Sequence, residues 1–205
     1  DSWASRGLGD VYKRQEENIY VLDSPILTNS QFKKFKKFFS KKVKVIDCTF
    51  DIESSLKERI DVIREESETA VREGSTCLIL SDKNISNLKA SIPSILTVGA
   101  VHSHLVKQGL RGYCSLSVEC SDALDTHSFA VLIGVGATTV NPYLAIDSIY
   151  QRFEKKLFGK SDFESCVVKF KKSVDAGLLK IMSKMGISVI SSYRGGCNFE
   201  AVGLS

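Results

Sequence analysis

Two histidines, a glycine pair, a Ser-Lys dipeptide and one arginine are the residues here whose types and spacing bear on chemistry. His102 and His104 stand two apart in VHSHLV. Such a pair holds a metal when both rings share one face of a strand. On a helix, residues two apart diverge by about 200°. The neighbouring apolar positions Ile95, Val98, Val101 and Leu105 run at helical spacing. The two rings are therefore read as packing or hydrogen-bonding histidines rather than metal ligands. Gly134 and Gly136 follow an apolar run, as in a dinucleotide fingerprint, but Thr139 stands where the third glycine would be. Two readings stay open there: a tight turn leading to Asn141, Pro142 and Tyr143, or a site for a phosphorylated ligand at residues 134–139. Ser183 and Lys184 are adjacent, and adjacent helical residues diverge by about 100°. Lys184 is read as a cation favoured by a helix C-terminus. Arg194 sits beside Gly195 and Gly196, where a guanidinium can approach a carboxylate or phosphate closely; an interdomain ion pair is the stronger reading. No Ser/His/Asp set, phosphate loop, HExxH or cysteine-nucleophile signature is present. No catalytic, cofactor-binding or metal-ligating residue is assigned. His102, His104, Asn141, Tyr143, Lys184 and Arg194 are candidates for contacts with neighbouring domains.

The elements that must position these residues alternate. Residues 30–40 form a short helix with Phe32, Phe35, Phe38 and Phe39 mostly on one face and lysines elsewhere. Lys33, Lys34, Lys36, Lys37, Lys41 and Lys42 are read as a solvated face in preference to a nucleic-acid or membrane patch. Residues 43–47 are a strand. Asp51 caps a long helix carrying Ile52, Leu56, Ile60, Ile63 and Ala70, and Gly74 stops it. The apolar run at 77–80 suits an interior parallel strand, so 43–80 reads as a right-handed β–α–β unit. Pro93 starts a helix to about residue 108. Residues 114–120 are a third strand and 125–133 a helix. Asn141 is an N-cap with Pro142 at the first helical position. Residues 187–190 form a buried strand, and a further helix begins near Phe199. The fold class is α/β, with alternating β-α units and a mainly parallel sheet.

Net charge is +4 over 205 residues, too mild for a dedicated nucleic-acid binder. No run of about 18 apolar residues suggests a membrane span. Six cysteines are scattered without a CxxC motif and are read as reduced, buried thiols. Residues 1–15 share no period with the rest of the chain and look like translated adapter sequence, a non-native segment.

Three blocks carry a family resemblance: IPSILTVGAVHSHLVKQGLR from Ile92, HSFAVLIGVGATTVNPYLA from His127, and DAGLLKIMSKMGISVISSYRGGCNFEAVGLS from Asp175. In order and spacing they resemble the glutamate synthase large chain, and LDSPIL near Leu22 and LILSD near Ser81 fit the same pattern. Ser103 departs from it, standing where the family often has a third histidine. The resemblance implies residues 16–174 in the later central domain and 175–205 at the start of the FMN-domain region. It implies a parent that makes two glutamates from glutamine and 2-oxoglutarate in ammonia assimilation. FMN and an iron–sulfur cluster would lie in that parent and neither in this piece. Implied partners are the amidotransferase domain, the FMN barrel, the C-terminal domain, and an NAD(P)H-oxidising subunit or ferredoxin. The implied compartment is the cytoplasm, or a plastid in a photosynthetic eukaryote. This piece would link the two catalytic centres and help enclose the ammonia path, with the six candidates at interdomain or tunnel-side positions.

Overall fold

The computed structural model describes residues 20–203; the non-native segment expected at 1–15 lies outside the described residues. In chain order the first elements are α1 (Asn29–Phe39), β1 (Val43–Asp47), β2 (Thr49–Asp51), α2 (Leu56–Arg72) and β3 (Cys77–Ser81). Next come β4 (Lys89–Ser91), α3 (Ser94–Lys107), β5 (Ser115–Glu119), α4 (Thr126–Gly134) and β6 (Thr139–Asn141). Helices α5 (Tyr143–Glu154), α6 (Phe163–Lys184) and the one-turn α7 (Ile190–Tyr193) complete the order.

The main sheet has the order β1-β3-β5-β6, parallel throughout. Ile26 adds a parallel bridge on the outer side of β6. Leu27 N–H donates to Val140 O at 2.9 Å, and Val140 N–H to Pro25 O at 2.8 Å. From β1 to β6 the chain steps across the sheet in one direction. From Ile26 to β1 it must return across the whole sheet in the other. Crossovers between parallel strands are right-handed, so reversing the direction of travel moves the connection to the opposite face. Two cores result. Leu78, Leu80, Leu116, Val118 and Val140 join one with Ile63, Val98, Phe129 and Leu178 from the helices. Cys77, Ile79 and Leu27 point the other way and are covered by Phe32 and Phe35 of α1. The phenylalanine stripe thus serves as the lid of the second core. A capping box holds its start, where Thr28 accepts from Gln31 N–H and the Gln31 side chain accepts from Thr28 N–H.

Four expectations are corrected. Asp51 does not cap α2: it lies in β2, and Ser55 accepts from Glu58 N–H instead. The reason is tertiary, since residues 49–51 pair antiparallel with 89–91 in a small ribbon. Asn141 closes strand β6, and Pro142 takes the N-cap position of α5. Residues 187–190 are not a strand, because the sheet edge beside β6 is already taken by residues 25–27. The chain instead forms α7 at Ile190. No helix starts at Phe199; the segment stays irregular, with the Phe199 ring packed on Gly134 and Tyr193.

Candidate functional site

Parallel sheets gather side chains from several loops at their C-terminal edge. In strand register, Asp47, Ser81, Glu119 and Asn141 form one row there. Glu119 is only 4% exposed. Burial pushes its carboxyl pKa up, but bonds from Ser81 and Lys83 and the charges of Lys36 and Lys83 outweigh it, for a net lowering. Ser81 Oγ donates to Glu119 at 2.8 Å, and Lys83 Nζ lies 3.0 Å and Lys36 Nζ 3.4 Å from its oxygens. Lys36 comes from α1, so this ion pair fastens the lid to the sheet. Asp47 likewise has burial raising its pKa, offset by bonds from Asn84 and Thr49, and ends lowered. Both carboxylates are charged at neutral pH and already partnered.

The edge between Ile26 and β6 is a topological switch point, because the connections on its two sides run to opposite faces. Ligands of open α/β sheets occupy the crevice there. Here the Asn141 amide fills it, donating to Leu27 O at 2.9 Å and Asn29 Oδ1 at 3.0 Å. Beside it, Asp82 Oδ2 accepts from Ser121 N–H at 2.8 Å and Ser121 Oγ at 2.6 Å, while Oδ1 has no hydrogen-bond partner. Burial first, and the Asp82 carboxylate second, push the Tyr143 phenol well above the usual tyrosine range. The Tyr143 phenol therefore stays neutral, and Lys83 Nζ lies 5.0 Å from its ring centre.

A second cluster lies at the opposite edge. The His102 ring is held between two glycines. A Cβ on Gly136 would collide with one side of the ring, and a Cβ on Gly195 would come within 2.7 Å of the other. Arg111 Nε donates to His102 Nδ1 at 3.1 Å, and its other nitrogens donate to Cys114 O at 2.7 Å and Gly136 O at 2.8 Å. Burial, then Arg111, then Arg194 lower the histidine pKa, so the ring is neutral. Phe199 occupies the space a Cβ on Gly134 would need. Tyr193, fully buried, donates to Ala130 O at 2.9 Å. The 190–199 segment is thus docked on the end of α4. The glycine faces that a phosphorylated ligand would use at 134–139 are filled from within the chain.

The structure brings His102 together with Arg194, and Asn141 near Tyr143, in two separate places. His104 points elsewhere, with Nε2 2.6 Å from Glu68 Oε2 of α2. Lys184 is exposed at the C-terminus of α6. Sequence reasoning missed Glu119, Asp82, Lys83 and Lys36. The available signal was the polar residue closing an apolar strand, as at Glu119, and the polar pair just past one, as at Asp82 and Lys83; Lys36 in α1 carried none. The residues fit neither a flavin nor an iron–sulfur cluster. Among the described residues no three histidine, cysteine, aspartate or glutamate side chains gather closely enough to hold a metal ion, and the faces of Gly134 and Gly136 are occupied by Phe199 and His102.

The family model of the glutamate synthase central domain matches residues 6–205. The glutamate synthase [NADPH] large chain of Azospirillum brasilense is 48% identical over 203 residues, covering 97% of this chain and 13% of that protein. The corresponding Bacillus subtilis chain is 40% identical, covering 96% and 13%. The chloroplastic ferredoxin-dependent glutamate synthase of Spinacia oleracea is 39% identical, with the same coverage. The chain therefore spans about 13% of the length of these relatives. A dihydroorotate dehydrogenase (DHODH) structure from Eimeria tenella, in complex with ferulenol, matches 77% of this chain and 38% of its own. Its TM-score is 0.50 at 14% identity, a likeness of α/β fold alone.

Proposed function

The chain belongs to the glutamate synthase central domain family, and from that premise we propose that it is the later part of that domain in a glutamate synthase. The parent converts glutamine, 2-oxoglutarate and reductant into two glutamates. FMN and an iron–sulfur cluster reside in its other domains, and its compartment is the cytoplasm or a plastid. The observation that carries this reading is identity of 48% to a large chain over nearly the whole of this sequence. The role of this piece is to join the amidotransferase and FMN centres and help enclose the ammonia path. The self-partnered pair Glu119 and Asn141 supports a scaffold role, since both are bonded by the chain's own Ser81, Lys83, Lys36 and Asn29. Asn141 and Tyr143 at one edge, and His102 with Arg194 at the other, are the proposed interdomain or tunnel-side positions; His104 and Lys184 are outer contacts. Residues 175–205 lead into the FMN region.

The test uses the full-length parent. With amide-labelled glutamine and excess unlabelled ammonium, the label is expected in the second glutamate. Arg194→Ala is expected to lower that transfer while glutamine hydrolysis continues. Absence of glutamate formed from 2-oxoglutarate sinks the family activity. Full transfer in the variant sinks the linking role.

A further inference from the structure

The β2–β4 ribbon stands on the C-terminal edge of the main sheet. It is anchored on one side: Cys48 N–H donates to Ser81 O at 2.8 Å, Ile92 N–H donates to Cys48 O at 2.9 Å, and Phe50 packs on the main core. At its tip, Ser86 and Lys89 exchange both backbone hydrogen bonds at 3.1 and 3.2 Å, which leaves Asn87 and Leu88 as the turn. Neither Asn87 nor Leu88 has a positive φ, so the backbone admits any residue, and turns of this kind favour short polar side chains for their local hydrogen bonds. Leu88 stands there instead, 77% exposed. Ile52 donates its N–H to Leu88 O at 3.1 Å and is itself 61% exposed, and Ile85 is 45% exposed. Three large aliphatic side chains on a fixed backbone therefore face water at one projecting corner. Nothing in the local backbone chemistry calls for leucine at that turn, and its exposure is unfavourable.

We propose that this tip is an interdomain anchor: Leu88, flanked by Ile52 and Ile85, inserts into an apolar cleft on a part of the same parent polypeptide outside this chain. This rests on the chain being part of a longer glutamate synthase. With about 13% of the relatives' length spanned here, most of the surface able to cover the tip lies elsewhere in that polypeptide. The occupant meets the edge opposite to the one where Tyr20 packs on Phe38 and Phe199 on Tyr193. A second copy is a poorer occupant, because three side chains at one turn bury far less area than a stable dimer needs, whereas a tethered domain meets the tip at high effective concentration.

In the full-length parent, Leu88 is replaced by photoreactive benzoylphenylalanine and cross-linked peptides are sequenced. The expected product is a cross-link within one polypeptide to a peptide outside residues 1–205. Cross-links joining two copies, seen as a doubled band on a denaturing gel, overturn the proposal, as does the absence of any cross-link. Leu88→Asp is expected to abolish hydrogen-exchange protection of the cross-linked peptide, and Leu88→Met to preserve it. Unchanged protection in Leu88→Asp also overturns it. Neither readout depends on turnover, so a parent that fails to make glutamate leaves the docking result legible.

Discussion

At the scale of single residues, the His102 pocket is the most exacting feature of the chain. Gly136 has φ +128° and faces one side of the ring, while Gly195, with φ +69°, faces the other. Gly136→Ala meets both a backbone penalty and a collision with a buried ring, so it is expected to cost about 2–4 kcal/mol. Denaturant titration checks this. Combining it with His102→Ala should recover part of the loss, because the collision is removed but the φ penalty stays. The same ring sets a pH dependence. Its Nδ1 accepts from Arg111, so the neutral form is the one that fits. The groups that lower its pKa are Arg111 and Arg194, both cations, together with burial. A histidine with its folded pKa below the unfolded value, about 6.5, keeps its full stability above that unfolded value. Stability then falls with pH down toward the folded pKa. Melting temperature is expected to drop across that window, and His102→Gln should flatten this part of the profile. An unchanged slope in the variant would count against the assignment.

At the scale of elements, α1 is held by two unlike contacts: Phe32 and Phe35 over Leu27, Cys77 and Ile79, and the Lys36–Glu119 ion pair. Glu119→Gln keeps the acceptor for Ser81 and discards the charge. Because Lys36 and Lys83 are 35% and 50% exposed, water screens much of the pair, and a loss of about 1 kcal/mol is expected. Hydrogen exchange should show it as faster opening of α1 with α4 unchanged; uniform acceleration would mean the pair supports the whole sheet. This fastening was half legible in the sequence. The phenylalanine stripe announced a buried face for 30–40 by its spacing, and the apolar runs at 43–47 and 77–80 announced parallel strands. Three short strands were not announced. Each of β2, β4 and β6 has three residues, too few for any periodicity, and each exists through its partner: β2 and β4 through each other, β6 through β5 and residues 25–27. The reverse error at 187–190 has the same origin. A β-branched apolar run predicts a strand only where an edge is free, and edge vacancy is a tertiary fact. The polar row at the C-terminal edge was missed similarly, since Asp47, Ser81, Glu119 and Asn141 become neighbours only through strand register.

At the scale of the whole molecule, charge and apolar exposure divide differently over the surface. Helix α6 buries Val174, Leu178 and Met182 in the main core, with α4 as its neighbour, yet Leu179 is 50% and Val168 43% exposed. Helix positions 3 and 4 apart share a face, and burial of one stripe explains Val174, Leu178 and Met182. It does not explain Val168 and Leu179, which stand eleven residues and about three turns apart and so share a side turned to water. Apolar surface of this kind is normal when scattered and adhesive when gathered on one element. The chain alone is therefore expected to self-associate as concentration rises, with net charge of only +4 offering weak repulsion. Sedimentation velocity should show a weight-average mass growing with concentration, and Val168→Lys with Leu179→Lys should return it to the monomer value without lowering the melting temperature. Removing exposed apolar groups leaves the buried stripe intact, so stability and association respond separately. A variant that unfolds would place those side chains in the core rather than on a surface that the parent covers, and a wild-type chain monomeric at every concentration would leave this face without an interdomain role.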